Sequence, residues 1–600
     1  MTFTTRTSSL QKINHQGNHR TRAVRALPPT LFMLTRRALP LAALVMGIWS
    51  LTTAHESSIG QYGLIQALPP LYFLSLVMLC GSFIIAWRSS QPRLLEFFLS
   101  LIALVVLLQS APGVIESEPR FDVAWLHAGF TNYVAQTGHV LPTIDARFSW
   151  PSFFTGLAMV DRAGGLPSAI LLIRWWPAVI NLLYLPPLYL LSRILLNNNK
   201  NAMLAVWLFP FANWVGQDYY SPQSAAYLLY LVLLCVVLGP YGSNRKAMIF
   251  RRQKESGSRL QEPGDNDWQP QVLGHALTLF FVMLMLCAAI DTGLQLTPIF
   301  AIATVFLLAF FGRTRLLAWP GVMILLAVGW ICYAAIAFWS GHLSEIFGGL
   351  SSVTGNYSSD LRLHGNVAHS RANDVRLLVF GSIWALAFIG FFCNRKVRVD
   401  RVGAAVIMLV PLLTVAGQSY GGEAGLRAFL FSLPGALCLA AVALASASTR
   451  LKLIFVGGLT IALIPGFLVA RWGNELSEMV TPGEIAGMNA LYRVAPPGST
   501  IVSITPQVTW QYKDVGQYQY APNNLVEFAF GSVSSITAQM ANPRGDYVII
   551  TASQLEYSQE AYGLPPNWGT GVERKLNASH MFRLLYSNST AKVYKYTGRK

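Results

Sequence analysis

The sequence predicts an α-helical polytopic membrane protein with a small α/β domain at its carboxyl end. The chain has 600 residues, of which 53% are hydrophobic and 12% charged, against roughly 25% charged in an average soluble protein. Long apolar runs recur between Leu39 and Val469, and a membrane helix needs roughly 20 such residues. After about Arg471 the chain becomes polar and mixed, which is typical of a separate soluble domain.

The apolar runs give the order of the membrane helices. Residues 1–37 are polar and basic and predict a cytoplasmic tail. No small-residue cleavage site follows the first apolar run, so we interpret that run as a membrane helix and not as a signal peptide. Two amino-terminal membrane helices within 38–93 precede a larger membrane module within 94–471. In all, about 13 transmembrane helices are predicted, at 38–54, 69–87, 94–111, 168–191, 202–216, 222–239, 272–290, 294–311, 317–339, 375–393, 402–417, 427–447 and 453–470.

The basic residues predict the orientation of the chain, because Lys and Arg accumulate in cytoplasmic loops. The loop 240–271 is the strongest marker, and every other basic cluster falls on the same side. We therefore expect a cytoplasmic amino terminus and an extracytoplasmic carboxyl domain at the plasma membrane of a bacterium. The net charge of +17 then reports topology, and no nucleic-acid partner is expected.

This orientation places three long segments on the outer face: the loop 113–167, the loop 340–373 and the domain 472–600. In the domain, the pattern predicts a helix at 482–492 and strands at 500–504, 547–551 and 591–596. All six cysteines lie in apolar runs. Neither a disulfide framework nor a CxxC metal site is therefore predicted.

Most acidic residues of the predicted outer face lie beside aromatic ones, and the first cluster is ESEPRFDVAWLHAGF from Glu116. The segment 121–135 predicts an amphipathic helix at the membrane interface, with its aromatic residues as anchors. Asp122 would lie in its first turn, where the helix dipole favours an anion. Asp122 is thus either a simple helix-terminal carboxylate or a catalytic or metal-binding group, and Glu118 and His127 are candidate site residues beside it.

The second cluster, QDYYSPQ, holds Asp218 in a turn so short that the residue lies close to the membrane. Gln217, Tyr219 and Tyr220 make this turn a candidate sugar-binding patch. The alternative is that Asp218 caps the helix that begins at Pro222 and that the tyrosines belong to the aromatic belt of the membrane.

A third cluster places Glu423 and Arg427 four residues apart on one predicted helix. Such a pair forms a structural salt bridge on a helix face. Alternatively, Arg427 binds a phosphate, which suits the forked donors of an arginine side chain.

With these motifs, the chain resembles the GT-C class of integral-membrane glycosyltransferases over about 94–450. Asp122 in FDVAWLHAGF matches the acidic residue that follows the first core span of the class, and Asp218 matches the acidic residue of its second outer loop. The stretch 138–154, GHVLPTIDARFSWPSFF, is similar to the Gly-rich turn and aromatic-Pro segment before the next span. The strict DE or DxD pair is absent, and either Glu118 or Asp122 supplies the key carboxylate.

The resemblance implies an enzyme that transfers a hexosyl or pentosyl group from a polyprenyl-phosphate donor to a glycan or protein acceptor of the cell envelope. It implies Asp122 as the general base, with Glu118 and Asp218 as further candidate carboxylates. Arg427 is the expected cation for the leaving phosphate. In some members a divalent metal, Mg²⁺ or Mn²⁺, would be bridged by Asp122 and Asp218.

Three other functions remain open. A transporter or flippase for lipid-linked glycans would carry ionisable groups near the middle of the bilayer, whereas these carboxylates lie at one lip. A polysaccharide polymerase would use arginines of a large outer loop, and the loop 113–167 offers Arg120, Arg147 and Arg162. A non-catalytic scaffold would use the carboxyl domain as its binding module.

Overall fold

Helices make up most of the chain, and a mixed sheet lies near its carboxyl end. The structure is a computed structural model that describes residues 29–89, 93–243, 270–340, 365–393, 399–415, 424–446, 449–522, 533–538, 540 and 545–598. Its helices before the sheet are α1 Pro29–Leu51, α2 Pro70–Arg88, α3 Leu94–Ile115, α4 Asp122–Thr137, α5 Ser152–Gly164, α6 Ile170–Ile173, α7 Trp176–Leu196, α8 Asn199–Ala212, α9 Pro222–Leu238, α10 Pro270–Asp291, α11 Thr297–Phe310, α12 Trp319–Tyr333, α13 Ile336–Trp339, α14 Val367–Phe392, α15 Arg401–Val415, α16 Ala424–Ala445, α17 Thr449–Trp472 and α18 Glu475–Glu478.

A helix lies at every apolar run that the sequence predicts as a span. Within the described residues, 6 helices are long and apolar enough to cross a membrane, namely α2, α3, α7, α14, α16 and α17. Five further apolar helices are shorter, at 222–238, 276–291, 297–310, 319–333 and 401–412. The chain is therefore a multi-pass membrane protein, while the total of about 13 spans remains a prediction.

Several predicted spans have different bounds in the structure: the span expected at 317–339 is divided into α12 and α13, α14 begins at Val367 inside the predicted loop 340–373, and two further differences bear on the site. The span expected at 168–191 is divided into the short helix α6 and the helix α7, whose second residue is Pro177. A proline fits the first turn of a helix because its missing N–H is not needed there. The span expected at 202–216 is α8, which ends at Ala212. The turn 213–221 is consequently longer than predicted, and it contributes several residues to the site.

The apolar core lies around α16, of which 89% of the most apolar stretch is buried. This helix packs against α14, α15 and α8. By contrast, only 22% of the corresponding stretch of α14 is buried, as expected of a helix that faces lipid. Proline lies inside α7, α8, α15, α16 and α17, which is more tolerated in membrane helices than in soluble ones.

The carboxyl domain is a five-stranded mixed sheet with helices. Its elements are α19 Pro482–Val494, β1 Thr500–Ser503, β2 Gln519–Pro522, α20 Val533–Ala538, β3 Tyr547–Thr551, α21 Ala552–Tyr562, α22 Trp568–Ala578, β4 Phe582–Ser587 and β5 Ala591–Tyr596. The strand order is β2-β1-β3-β5-β4. Strand β1 is parallel to β2 and β3, whereas β5 is antiparallel to β3 and β4.

The predicted helix at 482–492 and the three predicted strands of the domain are confirmed. The capping box of Thr481 and Glu484 begins α19, a pattern that satisfies two free N–H groups at a helix start. The short strands β2 and β4 and the helices α21 and α22 were not predicted. They lack the apolar runs that identify β1 and β3.

The predicted helix at 121–135 exists as α4, but Trp125 is not the membrane anchor that the sequence predicts. Most of α4 is buried, and it packs against α5 and the carboxyl domain. The ring of Trp125 is 4% exposed and lies 5.5 Å from that of Tyr512, edge to face. Trp125 is therefore a contact between the helix and the domain, and not a membrane anchor.

Candidate active site

Asp122 is the first residue of α4, and the residue before it has an unusual backbone. Phe121 has φ 72°, a region that bulky residues avoid at a cost of about 1–3 kcal/mol. Its N–H donates to the carbonyl oxygen of Glu478 at 2.8 Å, and its carbonyl accepts from the N–H of Ala124 at 2.9 Å. Strain of this kind persists only where the surroundings hold it, and it occurs often at functional sites.

The carboxyl group of Asp122 is buried without a cationic partner in a hydrogen bond or ion pair of the described residues. The residue is 8% exposed, and its Oδ2 accepts from the N–H of Val508 at 3.2 Å. The pKa of Asp122 is raised to about 7: burial is the largest cause, the backbone N–H groups of Val123 and Val508 lower the pKa, and the charge of Glu478 raises it. A carboxyl with a pKa near neutrality suits a general base.

Arg120 connects the turn before Asp122 to the linker after α17. Its Nε and Nη2 donate to the two oxygens of Glu475 at 2.5 and 3.1 Å, and Nη2 also contacts Glu478. The guanidinium lies 4.7 Å from the ring centre of Trp472. This fork to two carboxylates is a geometry that arginine provides and lysine does not.

Asp218, the second predicted carboxylate, lies in a buried ion pair. Its Oδ1 accepts from Arg471 Nη2 at 2.6 Å and its Oδ2 from Asn181 Nδ2 at 2.6 Å, and both members of the pair are 2% exposed at their side chains. Asn181 accepts in turn from Asn213 at 2.9 Å. Gly216 belongs to this arrangement, because a Cβ there would overlap Arg471.

These contacts do not fit the metal site that the resemblance implies. Both oxygens of Asp218 already hold protein donors, one of them cationic. Among the described residues, no group of three or more His, Cys, Asp or Glu side chains is placed to hold a metal ion. A metal bridge between Asp122 and Asp218 therefore has no support in the arrangement of these side chains.

Glu116 is a site residue that sequence reasoning passed over. It is 3% exposed, and no described group lies in hydrogen-bonding geometry with either of its oxygens. Burial, followed by the charge of Glu475, raises the pKa of Glu116 well above its ordinary value. The predicted candidate Glu118 is half-buried. Burial also raises its pKa, and the charge of Arg174 opposes that effect.

The predicted aromatic patch does assemble, but mostly as buried packing. His127 stacks on Tyr219 at 5.8 Å, and its Nδ1–H donates to the carbonyl of Tyr220 at 2.9 Å. Burial lowers the pKa of His127 to about 3, so its ring is neutral. The hydroxyl of Tyr220 donates to Thr131 at 3.0 Å, and Gln217 is 3% exposed. Of this patch only Tyr219 reaches the neighbouring cavity.

That cavity lies beside Arg120, between α3, α6, α7 and the end of α17. Its polar wall consists of Gln109, Arg120, Arg174, Tyr219 and Trp472, and prolines and small apolar residues form the rest. Both amide atoms of Gln109 and the indole N–H of Trp472 are buried, with no hydrogen-bond partner among the described residues. The cavity has a volume of about 20 Å³, which is room for about one water molecule, so these donors and this acceptor would serve one small polar group.

Arg174 shapes the loop above this cavity. Its guanidinium donates to the carbonyl oxygens of Gly113, Glu116 and Ser117 at 2.6–2.8 Å. The sequence carried one signal for it, since an arginine inside the apolar run ILLIRWWP is unusual unless it has a role.

The third predicted cluster cannot be compared in full. Arg427 lies in the first turn of α16 and is half-buried. Its predicted partner Glu423 lies outside the described residues. The predicted i, i+4 salt bridge therefore stays a prediction.

No protein-family model matches this chain, and no curated protein matches it significantly. Among solved structures it is similar to ArnT from Cupriavidus metallidurans bound to undecaprenyl phosphate, at 12% identity and a TM-score of 0.45, over 83% of this chain and 97% of that one. It is also similar to a mutant of the arabinofuranosyltransferase AftD from Mycobacteria, at 13% identity and a TM-score of 0.43, over 83% of this chain and 41% of that one.

Proposed function

We propose that this chain is a membrane glycosyltransferase that transfers a sugar from a polyprenyl-phosphate donor to a cell-envelope glycan or protein. The observation that carries the proposal is Asp122, a buried carboxyl with a pKa of about 7 at the start of a helix beside a polar cavity. The orientation predicted by the basic loops places this site, and the carboxyl domain, on the outer face of the plasma membrane.

In the proposed reaction, an acceptor hydroxyl attacks the anomeric carbon of the donor sugar as Asp122 takes its proton. The bond between the anomeric carbon and the phosphate oxygen breaks, and both of its electrons leave with the polyprenyl phosphate. A single displacement inverts the configuration at the anomeric carbon. The base then returns its proton to solvent. General base catalysis of this kind contributes roughly 10²–10⁴-fold.

The leaving phosphate needs positive charge. Arg120 is unsuited to this, because Glu475 and Glu478 already offset its charge. Arg174 lines the cavity, and Arg427, the residue expected from sequence, lies at the start of α16. We assign the phosphate to Arg427, because the guanidinium of Arg174 already donates to three backbone carbonyl oxygens. Gln109 and Tyr219, on the cavity wall, would contact one hydroxyl of the donor sugar.

The test is to incubate the purified protein with a panel of polyprenyl-phosphate hexoses and pentoses and to follow both transfer and hydrolysis. Asp122→Asn should lose activity by roughly 10²–10⁴-fold while the protein remains folded in membranes. Glu118→Gln is the matched comparison, because it removes the neighbouring candidate carboxylate. Full activity in Asp122→Asn would contradict the assignment of the base.

The same panel of donors tests whether transfer requires a divalent metal ion. We expect activity to persist after dialysis against a chelator, because Arg471 already supplies the positive charge beside Asp218. Loss of activity on chelation, with recovery in Mg²⁺ or Mn²⁺, would restore the metal-dependent mechanism.

A transporter or flippase is the second candidate, and one observation favours it. Asp218 and Arg471 form a buried ion pair, which transporters often contain. Here Arg471 is the second-last residue of α17, so the pair lies at the end of the helix and not at mid-span. Movement of the intact lipid-linked sugar across vesicles, without transfer, would support the transporter.

A further inference from the structure

The turn that carries Asp122 is held from outside the membrane helices. We infer that the linker after α17 and the segment 505–512 of the carboxyl domain are positioning parts of the active site: Arg120 joins the linker to the turn of Asp122, and Val508 joins the segment to Asp122 itself. This inference rests on the proposed function. It assigns the carboxyl domain a part in the reaction itself, in addition to any contact with an acceptor.

The first support is the backbone of Phe121. Its positive φ sets the direction in which α4 begins, and hence the direction of the Asp122 side chain. The hydrogen bond from Phe121 N–H to Glu478 O at 2.8 Å and the contact of its ring with Tyr219 at 4.6 Å hold that conformation. One of these restraints comes from the linker, so a shift of the linker would turn the base.

The second support is the pair of carboxylates on Arg120. Glu475 and Glu478 are both on α18, the short helix between the last membrane helix and the domain. Arg120 bridges them and lies against Trp472, whose other neighbour is Arg471 at 4.5 Å. The residue two positions before Asp122 is therefore fixed to the end of α17 and to α18 at once.

The third support is the direct contact between the carboxyl domain and α4. Val508 donates to Asp122 Oδ2 at 3.2 Å, so a backbone group of the domain touches the proposed base. About two turns further along α4, a Cβ at Gly129 would overlap the carbonyl oxygen of Gln511. This approach leaves no room for the segment to slide along the helix.

The charges around Asp122 come from four elements. Arg120 and the carboxyls of Glu116 and Glu118 lie on its own turn, Glu475 and Glu478 on α18, Arg471 on α17 and Asp218 on the turn 213–221. Arg120 and Arg471 are each paired with carboxylates of this set. Among these groups Glu478 is the charge that acts on Asp122, and it comes from the linker.

Two variants test the inference. Arg120→Lys keeps the charge but cannot bridge both carboxylates, so kcat should fall by about 10–100-fold while KM for the donor stays the same. Glu478→Gln keeps the backbone carbonyl that holds Phe121 but removes the charge. The acidic limb of the pH profile of kcat should then move down by about 0.5–1 unit. Glu573→Gln is the control, because it makes the same change in an ion pair with Lys592 elsewhere in the domain.

A second readout does not need activity. A hydrophobic carbodiimide modifies protonated carboxyls, and peptide mass spectrometry against pH gives the midpoint of modification at Asp122. Glu478→Gln should lower that midpoint, and Glu573→Gln should leave it unchanged. Thermal unfolding in detergent confirms that each variant is folded.

The outcomes separate the two proposals. If Asp122→Asn abolishes transfer but Arg120→Lys keeps kcat and Glu478→Gln leaves the midpoint in place, the positioning role is wrong and the proposed function stands. If no donor of the panel is used, but the midpoint at Asp122 moves as expected, the coupling stands and the glycosyltransferase assignment is wrong.

Discussion

Asp122 and Asp218 lie on two neighbouring turns and are similarly buried, at 8% and 2% exposed, yet their surroundings differ in one respect. Asp218 has Arg471 at 2.6 Å, whereas the hydrogen bond shown for Asp122 comes from a backbone N–H. A full cation makes Asp218 one member of a buried ion pair. Asp122 has only backbone amides as its described donors, and its pKa of about 7 leaves the carboxyl near the balance between its two forms, which is the condition a base needs.

The largest expected effect tests the structural half of this comparison. Arg471→Met leaves Asp218 buried without its cation, and loss of one partner of a buried pair destabilises a protein by roughly 3–5 kcal/mol. The double variant Arg471→Met with Asp218→Leu should recover much of that loss. Chemical unfolding in detergent measures both. Equal stability of the single variant and the wild type would show that the pair is not structural.

The second effect is the pH dependence of stability, which tests the part of the comparison that concerns Asp122. Because burial raises the pKa of Asp122 to about 7 from an ordinary 3.8, the folded protein holds this proton between pH 4 and 7 more tightly than the unfolded chain. Folding is therefore progressively opposed as pH rises through that range. Asp122→Asn should be more stable than the wild type at pH 8, by about 4 kcal/mol.

That gain should shrink as the pH falls from 7 toward 4 and vanish below the ordinary pKa of 3.8, where the wild-type carboxyl is protonated in both states. Unfolding curves of the two proteins at pH 4.5, 6 and 8 measure it. A stability difference that does not change with pH would contradict the raised pKa.

The link between the two turns should contribute less. Tyr220 follows Asp218 by two residues, and its hydroxyl donates to Thr131 of α4. Tyr220→Phe removes that hydrogen bond, with an expected loss of about 1 kcal/mol. Thr131→Ser retains the hydroxyl and serves as the control. If Tyr220→Phe is neutral, the two turns are coupled by ring packing alone.

The smallest effect is expected at Glu118, the predicted alternative to Asp122. Its side chain is half-buried, and it makes no hydrogen bond that holds it against Asp122. Glu118→Gln should therefore change the rate of transfer by no more than about twofold, far less than a tenfold change. A loss as large as that of Asp122→Asn would exchange the roles of the two carboxylates.

The site residues differ in whether the neighbouring sequence indicates their role. Asp122 was found because an acidic residue begins an amphipathic pattern after an apolar run. Glu475 and Glu478 carry no such signal, since the motif ELSE is an ordinary polar segment. They belong to the site because Arg120 binds both carboxylates in a largely buried position. Arg120 precedes Glu475 and Glu478 by 355 and 358 residues.

Asp218 shows the opposite case. Its place on a turn between two apolar runs followed from the sequence, and the structure shows the residue there at 2% exposed. Its partner did not follow, because Arg471 was interpreted as the end of the last span. Nothing in the spacing of two residues 253 positions apart indicates that they meet.

The sequence by itself determined the membrane class, the position of the apolar helices, the principal strands of the carboxyl domain and the candidate base. Those properties depend on local periodicity and on the transfer of apolar side chains out of water, which act over one helix or strand at a time. The tertiary structure alone decided which carboxylate is paired, which is held by an amide, and that the domain lies on α4. The pKa of a buried group depends on the charges and donors within a few ångströms of it, and those come from distant parts of the chain.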